Sequence, residues 1–394
     1  MKGLVVPSPT EDFTADPVEL FFDLAFVFAF SQLVWHLVHF PTWSGAAEAG
    51  LLFLILWFVW STFTWAANAV QGNAREVRAI FLVATAASVP MGASITAAFT
   101  SGGGTFAIGA SIIVLMGLGL QAWGLSGEDD TASEFQSVLR YGTPNLLAMA
   151  LLIIGGFLDE GPRKVLWVLF VLLLLSGMGI ARFGDWLVRP GHFAERHGLI
   201  VIIALGEVVV AIGIAVVSSF EDAAGLPNDT LIALGAAGAM AGLLWWSYFD
   251  RVLPALEHRA NELTGRPRAH FIADVYTGFH IFIVAGIIAL AAAAEEILLH
   301  PRDAVHTEFL VMFVGGLALY FGGIAVAAYR AYRAIAKERI LAMTTIALVA
   351  ILGSSMDGVV LLIIVDVILL VTLLAEHRRI EAPNEETTEA AVAN

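Results

Sequence analysis

The sequence predicts an all-α membrane protein with about twelve membrane-spanning helices. Of its 394 residues, 59% are hydrophobic and 14% are charged, which is too apolar for a water-exposed surface around a soluble core. The mean hydropathy is +0.83. Apolar runs reach about 20 residues without alternating at period two, so they fit helices rather than the strands of a barrel. The lipid bilayer is therefore the expected main partner.

The first hydrophobic run is expected to stay in the mature protein as a true span. The segment before it carries Glu11, Asp12 and Asp16 and lacks the basic stretch and the cleavage site of a signal peptide. Breaks at charge clusters, Gly/Pro runs and Asn/Asp turns divide the rest of the chain into further apolar windows. The windows lie near 17–40, 46–70, 77–98, 104–125, 137–158, 163–187, 195–219, 229–250, 269–294, 308–330, 338–354 and 356–376.

The basic residues check these windows independently, because Lys and Arg near membrane spans collect on the cytoplasmic side. Of the 20 Lys and Arg residues, the twelve windows leave only Arg163, Lys164 and Arg302 on one side and place the other 17 opposite them. We therefore predict a bacterial inner-membrane protein with both termini in the cytoplasm. The acidic tail, 381–394, cannot form a packed core and is predicted to be disordered.

The two halves of the chain, 1–187 and 188–380, resemble each other in order along the sequence, as transporter repeats do. The matching segments are 19–32 with 195–207, 59–64 with 245–250, and 78–81 with 268–271. Six spans per half is an even number, so the two halves would have parallel topology, related by an axis along the membrane normal. The alternative is chance similarity between apolar helices.

Three segments place acids and a histidine in an unusual aromatic and aliphatic context. They are VELFFDLAFVFAFSQL at 18–33, ERHGLIVIIALGEVVVAIG at 195–213 and LLWWSYFD at 243–250. Together they resemble the bacterial low temperature requirement protein A (LtrA) family, nearly end to end. That family name describes growth in the cold rather than a reaction. The resemblance implies the membrane topology and a link to low-temperature growth, and it leaves the mechanism to the residues themselves.

Span one carries two acids, Glu19 and Asp23, at i and i+4 on one helix face near its cytoplasmic end. Two close carboxylates repel each other, so one would hold a proton unless a cation lies between them. Arg196, Arg78 and Arg268 are the candidate cations on that side. The alternative is a helix-start acid pair that favours the helix dipole.

The start of the seventh span, with Glu195, Arg196 and His197, reverses the sign pattern of span one. We expect ion pairs between the halves, of Arg196 with the acids of span one and of Glu195 with Arg78. Such pairs would form a cytoplasmic latch, which is a reasonable gate in an alternating-access transporter.

Glu207 lies near the middle of its span among aliphatic residues, where charged side chains are costly and usually functional. A carboxyl group at that depth suits proton binding and release or cation coordination. Its counterpart in the first half is Ser31–Gln32. The alternative is a protonated Glu207 that hydrogen-bonds across helices. Asp366 in the last span is a further candidate of the same kind.

Span nine carries His270, Asp274 and Thr277 on one predicted face, with His280 deeper in the membrane. This line could relay protons. Histidines and carboxylates also bind metals, but no compact ligand spacing occurs, and the chain has no cysteine to supply thiolates. We therefore predict no metal and no cofactor.

Two parallel six-helix halves with isolated midplane acids favour a proton- or cation-coupled secondary transporter of a small solute. The second hypothesis is a membrane-embedded enzyme or lipid-handling protein that uses the cytoplasmic His, Asp and Glu residues. The third is a sensor or scaffold. One cytoplasm-facing pocket would favour chemistry, and a polar path past Glu207 would favour transport. No nucleic-acid partner is predicted, and the sequence carries no signal of the substrate or the oligomeric state.

Overall fold

A computed structural model describes residues 14–70, 74–126, 132–181, 184, 186–222 and 226–392. Within these ranges the regular structure is helical, apart from one isolated bridge between Ala304 and Asp357, so the all-α prediction is confirmed. A 3-10 turn, Ile95–Ala97, follows α3, and a π-helix, Ala273–Phe279, joins α10 to α11. The α-helices are α1 Pro17–His39, α2 Trp43–Ala67, α3 Arg75–Ala93, α4 Gly103–Gly124, α5 Ala132–Gly156, α6 Glu160–Ala181, α7 Pro190–Asp222, α8 Asn228–Phe249, α9 Val252–Glu262, α10 Gly265–Ile272, α11 His280–Leu299, α12 Thr307–Tyr332, α13 Lys337–Leu352 and α14 Gly358–Val392.

Eleven helical stretches in the described part of the chain are long and apolar enough to cross a membrane. The multi-pass prediction is therefore confirmed. The remaining predicted window, 338–354, corresponds to α13, whose 16 residues are fewer than the roughly 20 that usually span a bilayer. The count of twelve, the two repeats, the boundary at 187 and the orientation stay predictions. So does the disorder of 381–394, although α14 is helical as far as Val392.

Three helices, α1, α7 and α11, form the centre of the molecule. The first helix packs against α3, α7 and α11, and α7 packs in turn against α8 and α11. Around this centre α2 packs on α4, α5 on α6, and α8 on α14. The outer helices expose large apolar side chains, among them Leu147, Leu172 and Val371, as expected of surfaces that face lipid.

The central helices α1 and α7 lie side by side and run in the same direction. Near the start of both, Arg196 Nη1 donates to Glu19 Oε2 over 2.5 Å, between residues 177 positions apart in the chain. Further along, Ser31 Oγ donates to Glu207 Oε1 over 3.0 Å, between residues 176 positions apart. The nearly constant separation shows that the two helices pair in parallel and in register.

Candidate functional site

The structure places one arginine of α7 between the two acids of α1. Arg196 Nη1 contacts Glu19 Oε2 at 2.5 Å, and Arg196 Nη2 contacts Asp23 Oδ1 at 2.7 Å. The side chains of Arg196 and Glu19 are 0% exposed, and that of Asp23 is 1% exposed. This is the predicted ion pair between the two halves of the sequence, and it is buried inside the protein rather than at its surface.

Glu19 also has the capping role that was the alternative interpretation of the acid pair. Asp16 is the N-cap of α1, and its side chain accepts a hydrogen bond from the backbone N–H of Val18. The Oε1 atom of Glu19 accepts from the backbone N–H of Asp16 over 3.1 Å, which completes a capping box. One carboxylate therefore fixes the start of α1 with one oxygen and binds α7 with the other.

The sequence did not predict two members of this network, His192 and Trp60. His192 Nε2 lies 2.9 Å from Glu19 Oε2, and Trp60 Nε1 donates to Asp23 Oδ1 over 2.8 Å. The span was predicted to begin at residue 195, whereas α7 begins at Pro190, one helical turn earlier. A proline favours the first helical position, so Pro190 is the signal that would have brought His192 into the span.

Three other residues of the predicted cytoplasmic cluster, Glu195, Arg78 and Arg268, have partners other than those predicted. Arg78 pairs with Asp16 at 2.9 Å, not with Glu195, whose Oε2 accepts from the backbone N–H of Ala15 over 2.6 Å. Arg268 donates to the backbone oxygen of Leu263 just beyond α9 over 2.5 Å. The predicted Glu195–Arg78 latch is thus replaced by two contacts around the start of α1.

Glu207 is 1% exposed and accepts a hydrogen bond from Ser31 of α1. Ser31 belongs to the pair Ser31–Gln32 that the sequence comparison places opposite Glu207, and its neighbour Gln32 is half-buried. Asp366 lies outside this centre, in an open groove between α8 and α14, next to Gly242 and Leu243.

The predicted line of polar residues in span nine is divided among several environments. Asp274 pairs with Arg330 of α12 at 2.9 Å, whereas His270 and Thr277 line a cavity. Deeper in the span, His280 contacts Tyr248 of α8. The physical reason is the π-helix over Ala273–Phe279, because its wider turn breaks the i, i+4 alignment of an α-helix.

Two buried histidines, His197 and His280, pack with aromatic rings beside the ion-pair network. His280 Nδ1 lies 2.8 Å from the carbonyl oxygen of Val275, which can only accept, so Nδ1 carries a hydrogen. In the neutral ring Nε2 then accepts from the Tyr248 hydroxyl at 2.7 Å. His197 Nδ1 likewise donates to the Phe193 carbonyl oxygen over 2.9 Å. Its Nε2 has no hydrogen-bond partner among the described residues.

A partly open cavity that His270 and Thr277 line lies between α2, α4, α5, α6, α10 and the π-helix. Its aromatic lining residues are Phe58, Trp65, Tyr141 and Trp186, and its polar lining residues are Ser61, Thr62, Gln121, His270 and Thr277. We call it the aromatic cavity.

A chain of direct contacts links the aromatic cavity to the ion-pair network. Trp65 Nε1 donates to Thr277 Oγ1 over 3.0 Å, and Trp57 Nε1 donates to the backbone oxygen of Thr277 over 2.8 Å. The ring centroids of Trp57 and Trp60 are 5.1 Å apart, and Trp60 donates to Asp23. The cavity and the charges are therefore separated by one layer of tryptophan.

Comparisons with known proteins agree with this reading of the chain. A model for the bacterial low temperature requirement A protein (LtrA) family matches residues 14–374. A protein of Rhizobium meliloti (strain 1021), described as uncharacterized, is 28% identical over 323 residues, which cover 80% of this chain and 77% of that protein. No solved structure matches the chain.

Proposed function

Since the chain belongs to the LtrA family, whose name states a growth phenotype and not a reaction, we propose its function from the site itself. The protein is a proton- or cation-coupled secondary transporter of a small solute. It has twelve spans in a bacterial inner membrane, two parallel halves and cytoplasmic termini. The link to low-temperature growth that the family name implies belongs to the same proposal.

The observation that carries this proposal is the buried network between α1 and α7. A buried ion pair is a weak source of stability, because the cost of removing its charges from water offsets much of their attraction. A network that joins two otherwise apolar helices therefore favours a role in holding one of two conformations. In an alternating-access cycle, α1 and α7 would separate on one side when Arg196 exchanges its partners.

Glu207 supplies the coupling group. It has a hydrogen bond from Ser31 but no basic residue as an ion-pair partner among the described residues. An isolated buried carboxyl group binds a proton or a cation more readily than it stays charged alone. Two further unpartnered atoms in the described part of the chain, Asp23 Oδ2 and His197 Nε2, are additional places where a proton or a water molecule would bind.

The helix contacts support the two-repeat architecture. The pair α1 and α3 packs as α7 and α11 do, and the equivalent starts of the two halves meet in the parallel pair α1–α7. The halves differ in their second helices, since α2 packs mainly on α4 whereas α8 packs on α14.

The enzyme hypothesis receives less support from the geometry. The acids and histidines that would carry the chemistry, Glu19, Asp23, His192 and His197, are at most 1% exposed and contact one another or neighbouring aromatic rings. A substrate would reach them only after a rearrangement, which is the behaviour of a gate.

The test is proton movement into proteoliposomes, followed with a pH-sensitive dye while a library of solutes is screened. We expect a solute-dependent signal from the wild type that is lost in Glu207→Gln. Glu308→Gln, which changes an exposed acid in the first turn of α12, is the matched control and should keep the signal. Silence of the folded wild type with every solute would overturn coupling to protons.

A further inference from the structure

We propose that the aromatic cavity binds a small organic cation of the quaternary-ammonium class. This inference rests on the proposed function for its physiological meaning, because the cation would be the transported solute. Its physical basis is independent of transport, and it can be tested by binding alone.

The aromatic walls of the cavity have the arrangement that such cations require. The ring centroids of Trp65 and Trp186 are 5.7 Å apart at an interplanar angle of 69°. Those of Tyr141 and Trp186 are 5.9 Å apart at 87°. Rings at such steep angles do not stack, so Trp65, Tyr141 and Trp186 line the cavity with ring planes in different orientations. Aromatic cages of this kind recognise quaternary ammonium groups.

The charge of the lining selects against other solutes. Among the described lining residues there is no Lys or Arg to bind an anion and no Asp or Glu to bind a small inorganic cation. An inorganic cation would need several oxygen ligands in place of its hydration shell. An alkylated ammonium group carries its charge inside an apolar envelope, so it suits a site lined mainly by aromatic rings.

The polar residues of the cavity indicate that the solute has a second, polar part. Ser61, Thr62 and Gln121 offer hydroxyl and amide groups beside the aromatic walls. The hydrogen bond from Trp65 to Thr277 connects the occupied cavity to the tryptophan layer over the ion pairs.

The experiment compares two probes of the same shape with purified protein in detergent, by titration calorimetry and tryptophan fluorescence. Choline carries the charge, and 3,3-dimethylbutan-1-ol is its neutral carbon isostere. We expect choline to bind at least about tenfold more tightly than the isostere, because cation–π attraction acts on the charge alone. Trp186→Leu should weaken choline binding by a similar factor. Trp43→Leu, at a position 79% exposed on α2, should leave it unchanged.

Each other outcome has a definite meaning. Equal binding of the two probes, or no binding of either to protein with wild-type thermal stability, overturns the inference. The inference is also overturned if Trp43→Leu lowers the affinity for choline as much as Trp186→Leu does. Choline binding without solute-coupled proton movement would preserve the inference and overturn proton-coupled transport. Proton movement driven only by anionic or neutral solutes would preserve transport and overturn the inference.

Discussion

The guanidinium group of Arg196 joins α7 to α1 through two carboxylates at once. Because all three side chains are buried, removal of the arginine alone would leave two acids without a cation inside the protein. The pair Arg78–Asp16 offers a natural comparison, since it links the same helix start to α3 but the Arg78 side chain is 49% exposed.

We expect Arg196→Met to lower the free energy of unfolding by about 3–5 kcal/mol, as for other buried ion pairs that lose one partner. Arg78→Met should cost less than about 1 kcal/mol, because exposed pairs contribute little. Thermal or denaturant unfolding in detergent measures both. The triple variant Arg196→Met, Glu19→Gln, Asp23→Asn removes the charges together and should regain part of the loss. Equal effects of Arg196→Met and Arg78→Met would contradict the assignment of a buried network.

The contacts of Arg196 could be predicted from the sequence because helical spacing fixes which side chains share a face. The partners of Glu195 and Arg78 could not, since they depend on the path of the chain before α1, where the backbone N–H of Ala15 and the side chain of Asp16 compete for them. The partner of Glu207 could not be predicted to the residue either. It is Ser31 rather than Gln32, and the choice between these neighbours depends on how α1 is rotated about its axis.

Arg163 is one of the three basic residues on the predicted outer side, and its contacts explain its position there. Its guanidinium group donates to the carbonyl oxygens of Ala98 over 2.7 Å and Leu158 over 2.8 Å, and also reaches those of Thr100, Gly155 and Gly156. These oxygens lie at the end of α5 and in the turn before α4, where helix termini leave carbonyl groups unpaired. The exception to the charge rule is therefore a structural cap, and the residue is 5% exposed.

At the scale of the elements, the sequence predicts where helices lie but not where their geometry changes. The windows for α1 to α8 agree with the observed helices to within several residues. The π-helix in span nine is different, because its residues have an ordinary helical pattern that does not predict the wider turn. The π-helix contacts α2 through the backbone oxygen of Thr277 and α12 through Asp274. That local change directs Asp274 towards Arg330 and Thr277 towards the tryptophans.

The crossing of α11 and α12 depends on two glycines. A Cβ atom added to Gly286 would lie 2.5 Å from the backbone oxygen of Gly316, and one added to Gly316 would lie 2.7 Å from that of Gly286. The backbones are therefore in direct contact, as at small-residue crossings in other membrane proteins.

Gly316→Ala should destabilise the protein by about 1–3 kcal/mol, because the two helices must move apart to accept the methyl group. Gly315→Ala is the matched control, since an added Cβ there has nothing within 4 Å. Alanine at that position should be neutral or stabilising by up to about 1 kcal/mol, through its better helix propensity. The difference in melting temperature between the two variants is the measurement. Similar melting temperatures would mean that the crossing tolerates a wider spacing.

At the scale of the whole molecule, the short helix α13 decides on which side the chain ends. The loop after α13 joins the loop between α11 and α12, since Gly358 N donates to the Asp303 oxygen over 2.9 Å and Val359 N donates to the Pro301 oxygen over 3.0 Å. At the other end of α13, Arg339 binds both oxygens of Glu376 near the end of the apolar part of α14, at 2.8 and 3.0 Å. The helix α13 therefore connects the two ends of the molecule.

The predicted count of twelve crossings depends on α13, which has 16 residues. A helix of that length reaches about 24 Å, short of the roughly 30 Å of a hydrocarbon core. A crossing by α13 therefore requires the connecting segments on either side, 333–336 and 353–357, to cover the remaining distance. Length and hydropathy alone do not reveal this, because they describe α13 without the helices α12 and α14 between which it lies.

We therefore predict that Ser355 faces the outside and that Arg378 faces the cytoplasm. The chain has no cysteine, so single-cysteine variants give a label without background. A membrane-impermeant maleimide applied to intact spheroplasts should modify Ser355→Cys, together with the outer control His306→Cys. It should modify Arg378→Cys and the inner control His258→Cys only after the membrane is opened. Labelling of Arg378→Cys in intact cells, alongside His306→Cys, would show that α13 does not cross and that the chain has an odd number of spans. The two halves would then differ in topology, and the parallel pair α1–α7 would not belong to a complete six-helix repeat.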